Sequence, residues 1–325
     1  MTRISTGSQL ALILALALAP PPASFSQQKP PAQPPEQDQT IRVQVQLVNL
    51  FATIRDSNRR LVPDLTRDEL RVLEDGKEQQ IEFFRRETDL PITLGLLIDT
   101  SGSEQQTLPL EKEAAGRFLR RVLRPSDLAM VITFDVDVDL LSDFTNDLDR
   151  LERAIDRAQI NAPYSPVTPG PLPPHLLSGG TNLYDAIYLA CSEQLAPETG
   201  RKALIVITDA YDTGSRVRDK AALEACQRTD TVIHVILIAD PQYPRDSGTA
   251  NKFASETGGR VVEPHNEKKL EEAFDQIAEE LRSQYIVGYT PANLARDGSY
   301  RKVKMESIRK GLRILTRKGY YAPKG

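Results

Sequence analysis

The pentapeptide Asp99-Thr100-Ser101-Gly102-Ser103 sets one carboxylate and two hydroxyls on alternate residues. All three donors are hard oxygens, a set that suits Mg²⁺, which prefers oxygen and keeps part of its water. Thr181, in Ser178-Gly179-Gly180-Thr181-Asn182, offers another hydroxyl next to glycines that let backbone approach closely. A second carboxylate, Asp209, ends the apolar run Ile205-Val206-Ile207-Thr208. Asp212 lies three residues further on, where it could orient the ligands. Taken singly, each segment also reads as ordinary turn or helix-cap chemistry, and Ser103 is a candidate cap for the helix that follows it.

The elements around these residues decide whether they can meet. Ile92 to Ile98 is a nearly continuous apolar run, as expected of a strand covered on both faces. Leu110, Ala114, Phe118, Leu119 and Val122 then keep helical spacing. Further strands are expected at 128–134, 203–208, 232–239 and 260–262, with an exposed edge strand at 136–141. Helices are expected around 148–158 and at 183–195, 216–228, 246–256 and 270–281. This alternation predicts an α/β fold with a doubly wound, mostly parallel sheet. In such a sheet ligands bind beyond the carboxyl ends of the strands, where the strand order reverses, and Asp99 and Asp209 both close a strand there.

The flanks read as β structure. Residues 41–47 alternate apolar and polar and continue into 50–54. Residues 70–74 and 80–84 flank Asp75-Gly76, a hairpin signal. The tail holds strand patterns at 285–289, 300–305 and 312–316. Front and tail are each too small to fold alone, so they are expected to pair as a small β-sandwich beside the α/β layer. The ten-residue apolar run Leu10–Ala19 is too short to span a bilayer and suits the core of a signal peptide cleaved near Ser26. The expected organisation is a signal peptide (1–26), a Pro/Gln-rich linker (27–39), an N-terminal β region (40–90), the α/β domain (91–282) and a C-terminal β region (283–325) that packs on the first. No transmembrane helix is expected in the mature chain, which would be periplasmic or extracellular.

Composition narrows the function. Forty per cent of the 325 residues are hydrophobic, enough for a large core. Lys and Arg total 41 against 45 Asp and Glu, with no strongly basic stretch, so nucleic acid is not an expected partner. Three scattered His make a His-based zinc site improbable, and two Cys exclude a disulfide scaffold. Cys191 and Cys226 sit on helices flanking the 203–208 strand, where a bridge and two buried thiols are equally open readings.

The ordered set Asp-x-Ser-x-Ser at 99–103, Thr181, and Thr-Asp-x-x-Asp at 208–212 resembles the metal-ion-dependent adhesion site of von Willebrand factor type A domains. The segments 61–77 (Leu-Val-Pro-Asp-Leu-Thr-Arg-Asp-Glu-Leu-Arg-Val-Leu-Glu-Asp-Gly-Lys), 285–289 (Tyr-Ile-Val-Gly-Tyr) and 311–323 (Gly-Leu-Arg-Ile-Leu-Thr-Arg-Lys-Gly-Tyr-Tyr-Ala-Pro) are similar to the exported bacterial group of VWFA-related proteins. The resemblance covers residues 41–323. It implies that Asp99, Ser101, Ser103, Thr181 and Asp209 hold Mg²⁺ or Mn²⁺. One coordination position would stay open for an acidic side chain of a protein partner. Ala210 departs from the glycine usual after the final aspartate, and its methyl group tolerates a left-handed backbone poorly.

The expected function is therefore divalent-cation-dependent protein–protein binding of the adhesion type, without catalysis. The alternative is a structural module of an envelope or secretion assembly whose cation only steadies the loops. Hydrolysis is a remote alternative: Asp212-Thr213-Gly214-Ser215 spells an aspartic-protease tetrapeptide, but such enzymes need two copies in an all-β body, and 99–102 has Ser where the second copy needs Gly. Six prolines between 163 and 174 mark an insertion just before Thr181, read either as a stiff loop shaping partner access, with Tyr164 as a contact, or as a tolerated surface insertion.

Overall fold

A computed structural model describes residues 47–160 and 180–325. The leader, the linker, most of the 41–47 strand pattern and the whole of the proline-rich insertion lie outside the described residues.

The centre is a six-stranded sheet in the order β10-β9-β8-β5-β6-β7. Its strands are β5 (Ile92–Asp99), β6 (Leu128–Phe134), β7 (Val138–Thr145), β8 (Arg201–Thr208), β9 (Thr231–Leu237) and β10 (Val261–Val262). All neighbours run parallel except β7, which pairs antiparallel to β6 at the edge. The chain steps from β5 to β6 on one side and returns to β8 on the other, so the order reverses between β5 and β8.

Every residue of β5 is buried because helices cover both faces. Leu96, Ile98, Val131 and Ile205 pack with α1 (Leu108–Val122), α2 (Leu148–Arg157) and a long α6 (Glu267–Arg282). Leu97, Ile132, Leu204 and Val206 face the other way, against α3 (Leu183–Leu189), α4 (Asp219–Arg228) and α5 (Ser247–Thr257). Alternate residues of one strand thus enter different cores, which explains the unbroken apolar runs. Neighbouring side chains close in on Gly95: an added Cβ would lie 2.4 Å from the Leu204 side chain and 2.8 Å from that of Met130. The expected doubly wound fold is the observed one.

Helix α3 continues through a π-helical turn, Ala190–Gln194. Cys191 in that turn is joined to Cys226 of α4 by a disulfide, with Cα atoms 5.0 Å apart.

Two antiparallel four-stranded sheets flank this layer and enclose their own apolar core, in which Leu50, Val72, Val287 and Val303 are buried. One has the order β13 (Arg313–Leu315), β1 (Val48–Arg55), β11 (Gln284–Tyr289), β4 (Ile81–Glu87). The other has the order β14 (Gly319–Tyr321), β12 (Tyr300–Ser307), β2 (Leu70–Glu74), β3 (Lys77–Gln79).

The hairpin signal at Asp75-Gly76 needs one correction. Its partner strand is β3, directly after the turn, whereas 81–87 crosses to the other sheet and pairs with β11. Both turn residues have positive φ, 48° and 82°, the twist that a two-residue hairpin requires, and such a turn pairs only the residues that abut it. The expected edge strand at 136–141 also shifts, to 138–145, because Asp135, Val136 and Asp137 form the turn out of β6.

A buried ion cluster ties the sandwich to the α/β layer. Glu280 of α6, fully buried, accepts from Arg55 of β1 at 2.7 Å and from Arg260, just before β10, at 2.5 Å. No helix among the described residues is long and apolar enough to cross a membrane.

Candidate metal centre

Asp99 and Thr208 end adjacent parallel strands at the point where the strand order reverses. Asp99 is fully buried. Its Oδ2 accepts from the Thr208 hydroxyl at 2.6 Å, and its Oδ1 accepts from the Ser101 amide at 3.0 Å. The chain then folds into a short 3₁₀ turn, Gly102–Glu104, that brings the Ser101 and Ser103 hydroxyls to 3.0 Å of each other. Ser103 does not cap the next helix, contrary to expectation. Helix α1 starts five residues later, after Thr107, and Ser103 is held inside the turn. Asp209 follows β8 directly, and its carboxylate lies within 4.8 Å of that of Asp99.

Ala210 adopts φ 64° and is buried, so the loop keeps the left-handed turn in spite of the methyl group. Hydrogen bonds secure it. The Ala210 amide donates to the Thr208 hydroxyl at 3.0 Å, and the Tyr211 amide donates to Asp209 Oδ1 at 2.9 Å.

Thr181 reaches the same edge by another route. Its amide donates to the Thr213 hydroxyl at 2.9 Å, and its carbonyl accepts from the Thr213 and Gly214 amides at 3.0 and 3.2 Å. The Asn182 amide donates to the Asp135 carbonyl at 2.7 Å, while the Thr100 hydroxyl donates to the Asp135 carboxylate at 2.8 Å. The loops that carry 99–103, 135–137, 180–182 and 208–215 are therefore stitched together by short polar contacts. Asp212 acts within this seam. It accepts from the Tyr184 amide at 3.0 Å and the Ser215 hydroxyl at 2.5 Å, which fixes the start of α3 against the 208–215 loop.

Sequence reasoning missed two acidic residues. Carboxylate oxygens of Asp99, Glu104 and Asp209 all lie within 4.8 Å of one another, and all three side chains are buried. Behind them Glu111 of α1 is also fully buried. Glu111 shares the inward stripe of α1 with Ala115, Phe118 and Val122, a spacing that flags a carboxylate in a core position.

Burial pushes all four carboxyl groups above the usual carboxylate range. Mutual repulsion adds to the effect at Glu104, through Glu111 and Asp99, and at Asp99, through Asp209. So many like charges in one dry corner call for positive charge. The donors are exclusively carboxylate and hydroxyl oxygens, and Glu104 Oε1 is buried without a hydrogen-bond partner. This chemistry fits a hard divalent cation and not a soft one.

Residues 94–212 match the family model of the von Willebrand factor type A domain. Among solved structures it is similar to BatB from Bacteroides thetaiotaomicron, at 18% identity and TM-score 0.44 over 58% of this chain and 98% of that one. It is also similar to a von Willebrand factor type A protein from Catenulispora acidiphila, at 12% identity and TM-score 0.47 over 87% of this chain and 75% of that one. The von Willebrand factor domain of the type V pili tip protein Mfa5 from Porphyromonas gingivalis aligns at 14% identity and TM-score 0.45, over 59% and 95% of the two chains. No curated protein matches the chain.

Proposed function

We propose that the chain is an exported, divalent-cation-dependent protein-binding module and not an enzyme. Asp99, Ser101, Ser103, Thr181 and Asp209 would hold Mg²⁺ or Mn²⁺, with Asp212 bracing the loops. The bound cation would supply a positive centre that accepts a carboxylate oxygen from a partner protein. This chain's own part is to gather the oxygens, steady them through Thr208 and the 135–137 turn, and leave Ser103 half-buried at the rim. The division at 40–90, 91–282 and 283–325 belongs to the same reading, with the sandwich as the mount for the binding domain.

The observation that carries the proposal is the convergence of separate loops at one sheet edge, where Asp99 and Asp209 carboxylates approach within 4.8 Å and the Ser101 and Ser103 hydroxyls lie beside them. The test is a pull-down from envelope extract in Mg²⁺ and in EDTA, with wild type and Asp99→Ala. Capture that needs both Mg²⁺ and Asp99 supports the proposal. Capture indifferent to both sinks it. If Mg²⁺ raises the melting temperature and Asp99→Ala abolishes that rise while capture persists, the cation only steadies the loops, as in a structural module.

A further inference from the structure

Apolar side chains left in water gather at one edge of the α/β layer. Among its described residues, four large apolar or aromatic side chains are exposed: Val136, Leu140, Tyr211 and Tyr243. Leu140 lies within β7. The other three follow β6, β8 and β9, on loops at the carboxyl edge where Asp99 and Asp209 meet. Singly exposed apolar groups are ordinary, but a gathering of them around a binding centre marks an interaction surface.

Backbone contacts tie each of the three to the ligand loops. Tyr211 is two residues past Asp209, and its amide donates to Asp209 Oδ1 at 2.9 Å. Tyr243 stands in the loop between β9 and α5, which hangs from both metal loops. The Asp240 amide donates to the Ser103 carbonyl at 3.0 Å, and the Asp246 amide donates to the Asp209 carbonyl at 2.8 Å. The Tyr243 amide donates to the Asp240 carbonyl at 2.9 Å, a turn that keeps the two Cα atoms within about 7 Å. Val136 lies over Gly180, the neighbour of Thr181: a Cβ built on Gly180 would sit 3.6 Å from Val136 Cγ1. Tyr211 and Tyr243 are 40% and 43% exposed, and among the described residues neither ring is stacked and neither hydroxyl is hydrogen-bonded.

Charge decides what can lie on this surface. Arg216 and Arg245 are exposed on the two tyrosine loops, with no ion-pair partner among the described residues. The acids of the same loops are engaged internally. Asp212 accepts from the Ser215 hydroxyl and the Tyr184 amide, Asp246 accepts from the Thr249 amide at 2.9 Å, and Asp240 is buried. The tyrosine side thus offers aromatic faces among positive charge, while Asp137 is exposed beside Val136. Tyrosine is a frequent anchor of protein interfaces because a large ring is immobilised at the cost of only two torsions.

We infer that the partner segment carries an acidic residue with an aromatic or large aliphatic residue next to it. The carboxylate takes the open position on the cation, and the apolar side chain lies on Tyr211 and Tyr243. Arg216 and Arg245 favour acidic over basic residues on that side. The inference rests on the proposed cation-dependent binding and adds which segment the site accepts: a bare acidic run would leave both tyrosines in water.

The test is an array of immobilised acetylated peptides of the form Gly-Gly-X-Asp-Y-Gly-Gly, with X and Y drawn from Phe, Leu, Ser and Lys, and a parallel set with Asn in place of Asp. It is probed with the full mature protein in Mg²⁺ and in EDTA. Retention should need both Asp and Mg²⁺, and Phe or Leu beside Asp should retain the protein about 5- to 30-fold better than Ser. Tyr211→Ser with Tyr243→Ser should erase that preference and leave the weaker retention on Ser-flanked Asp peptides in Mg²⁺. Both side chains are exposed, so this variant should melt as wild type does. Equal retention of Phe- and Ser-flanked peptides, or a preference that survives in the double variant, overturns the inference; if retention still needs Asp and Mg²⁺, the cation reading stands. A Phe preference indifferent to EDTA and to Asn overturns the acidic anchor and the cation reading together. No retention on any peptide also overturns the inference. So does a wild-type dimer in sedimentation that the double variant dissociates, because a second copy would then cover the tyrosines.

Discussion

The Thr208 hydroxyl donates to Asp99 Oδ2 at 2.6 Å across the seam between β8 and β5. The Thr208 hydroxyl oxygen also accepts from the Ala210 amide at 3.0 Å. One buried hydroxyl thus aims the Asp99 carboxylate and shapes the turn that delivers Asp209. Thr208→Val keeps the volume and removes both contacts. Its affinity for Mg²⁺ should fall about 10- to 100-fold, the usual effect of losing a group that orients a ligand. Calorimetric titration reads this directly, and an unchanged affinity would assign Thr208 to packing alone.

The disulfide joins the helices that follow the Thr181 and Asp209 loops. Thiol counting on the denatured, unreduced protein should give no free cysteine. Its 35-residue separation predicts that Cys191→Ala with Cys226→Ala costs about 2–4 kcal/mol in denaturant unfolding. Because the metal-side loops are independently stitched, Mg²⁺ affinity should change little. A large loss of affinity with full stability would contradict this division of labour.

His234 of β9 is buried with both ring nitrogens unpartnered. Burial, and then the nearby Arg260 charge, push its pKa down to about 3. Below about pH 6.5 the unfolded chain gains a proton that the folded chain refuses until about pH 3. Stability should therefore fall as pH drops through that window, by about 1.4 kcal/mol per unit from this residue. Denaturant midpoints at pH 7.5 and pH 5 should converge more in His234→Leu than in wild type, by about 2 kcal/mol. Equal slopes would show that the ring protonates in the folded state.

Glu280 is the anion between Arg55 and Arg260. Glu280→Ala strands two guanidinium groups in a buried place and should cost about 3–5 kcal/mol. Urea unfolding followed both by sandwich tyrosines and by far-ultraviolet dichroism would test the cost. If the sandwich depends on this contact, it should unfold first in the variant.

The sequence made the α/β layer legible because β5, β6, β8 and β9 are covered on both faces and so write themselves as unbroken apolar runs. Asp99 and Asp209 were conspicuous for the same reason: each is the first charge after such a run. Glu104 and Glu111 were hidden because a glutamate early in a helix is ordinarily solvated and favours the helix dipole, so nothing local separates a buried one from an exposed one. Only the phase of Glu111 with Ala115, Phe118 and Val122 carried the information. The strand 81–87 was misassigned because two adjacent strands bounded by one turn read as a hairpin, while its true partner, β11, lies about two hundred residues away, beyond any local pattern.

That separation has a consequence for how the chain comes into being. Val48 of β1 is opposite Tyr289 of β11, and Glu74 of β2 is opposite Val303 of β12. As the polypeptide emerges from the ribosome, the first β segments appear early and their partners last, so the α/β layer has all its strands before the sandwich can close. Until then the leading segments expose open hydrogen-bonding edges, the form of nascent chain that holding chaperones recognise and that aggregates when they are scarce. Completion of the C-terminal strands acts as the latch on the finished molecule.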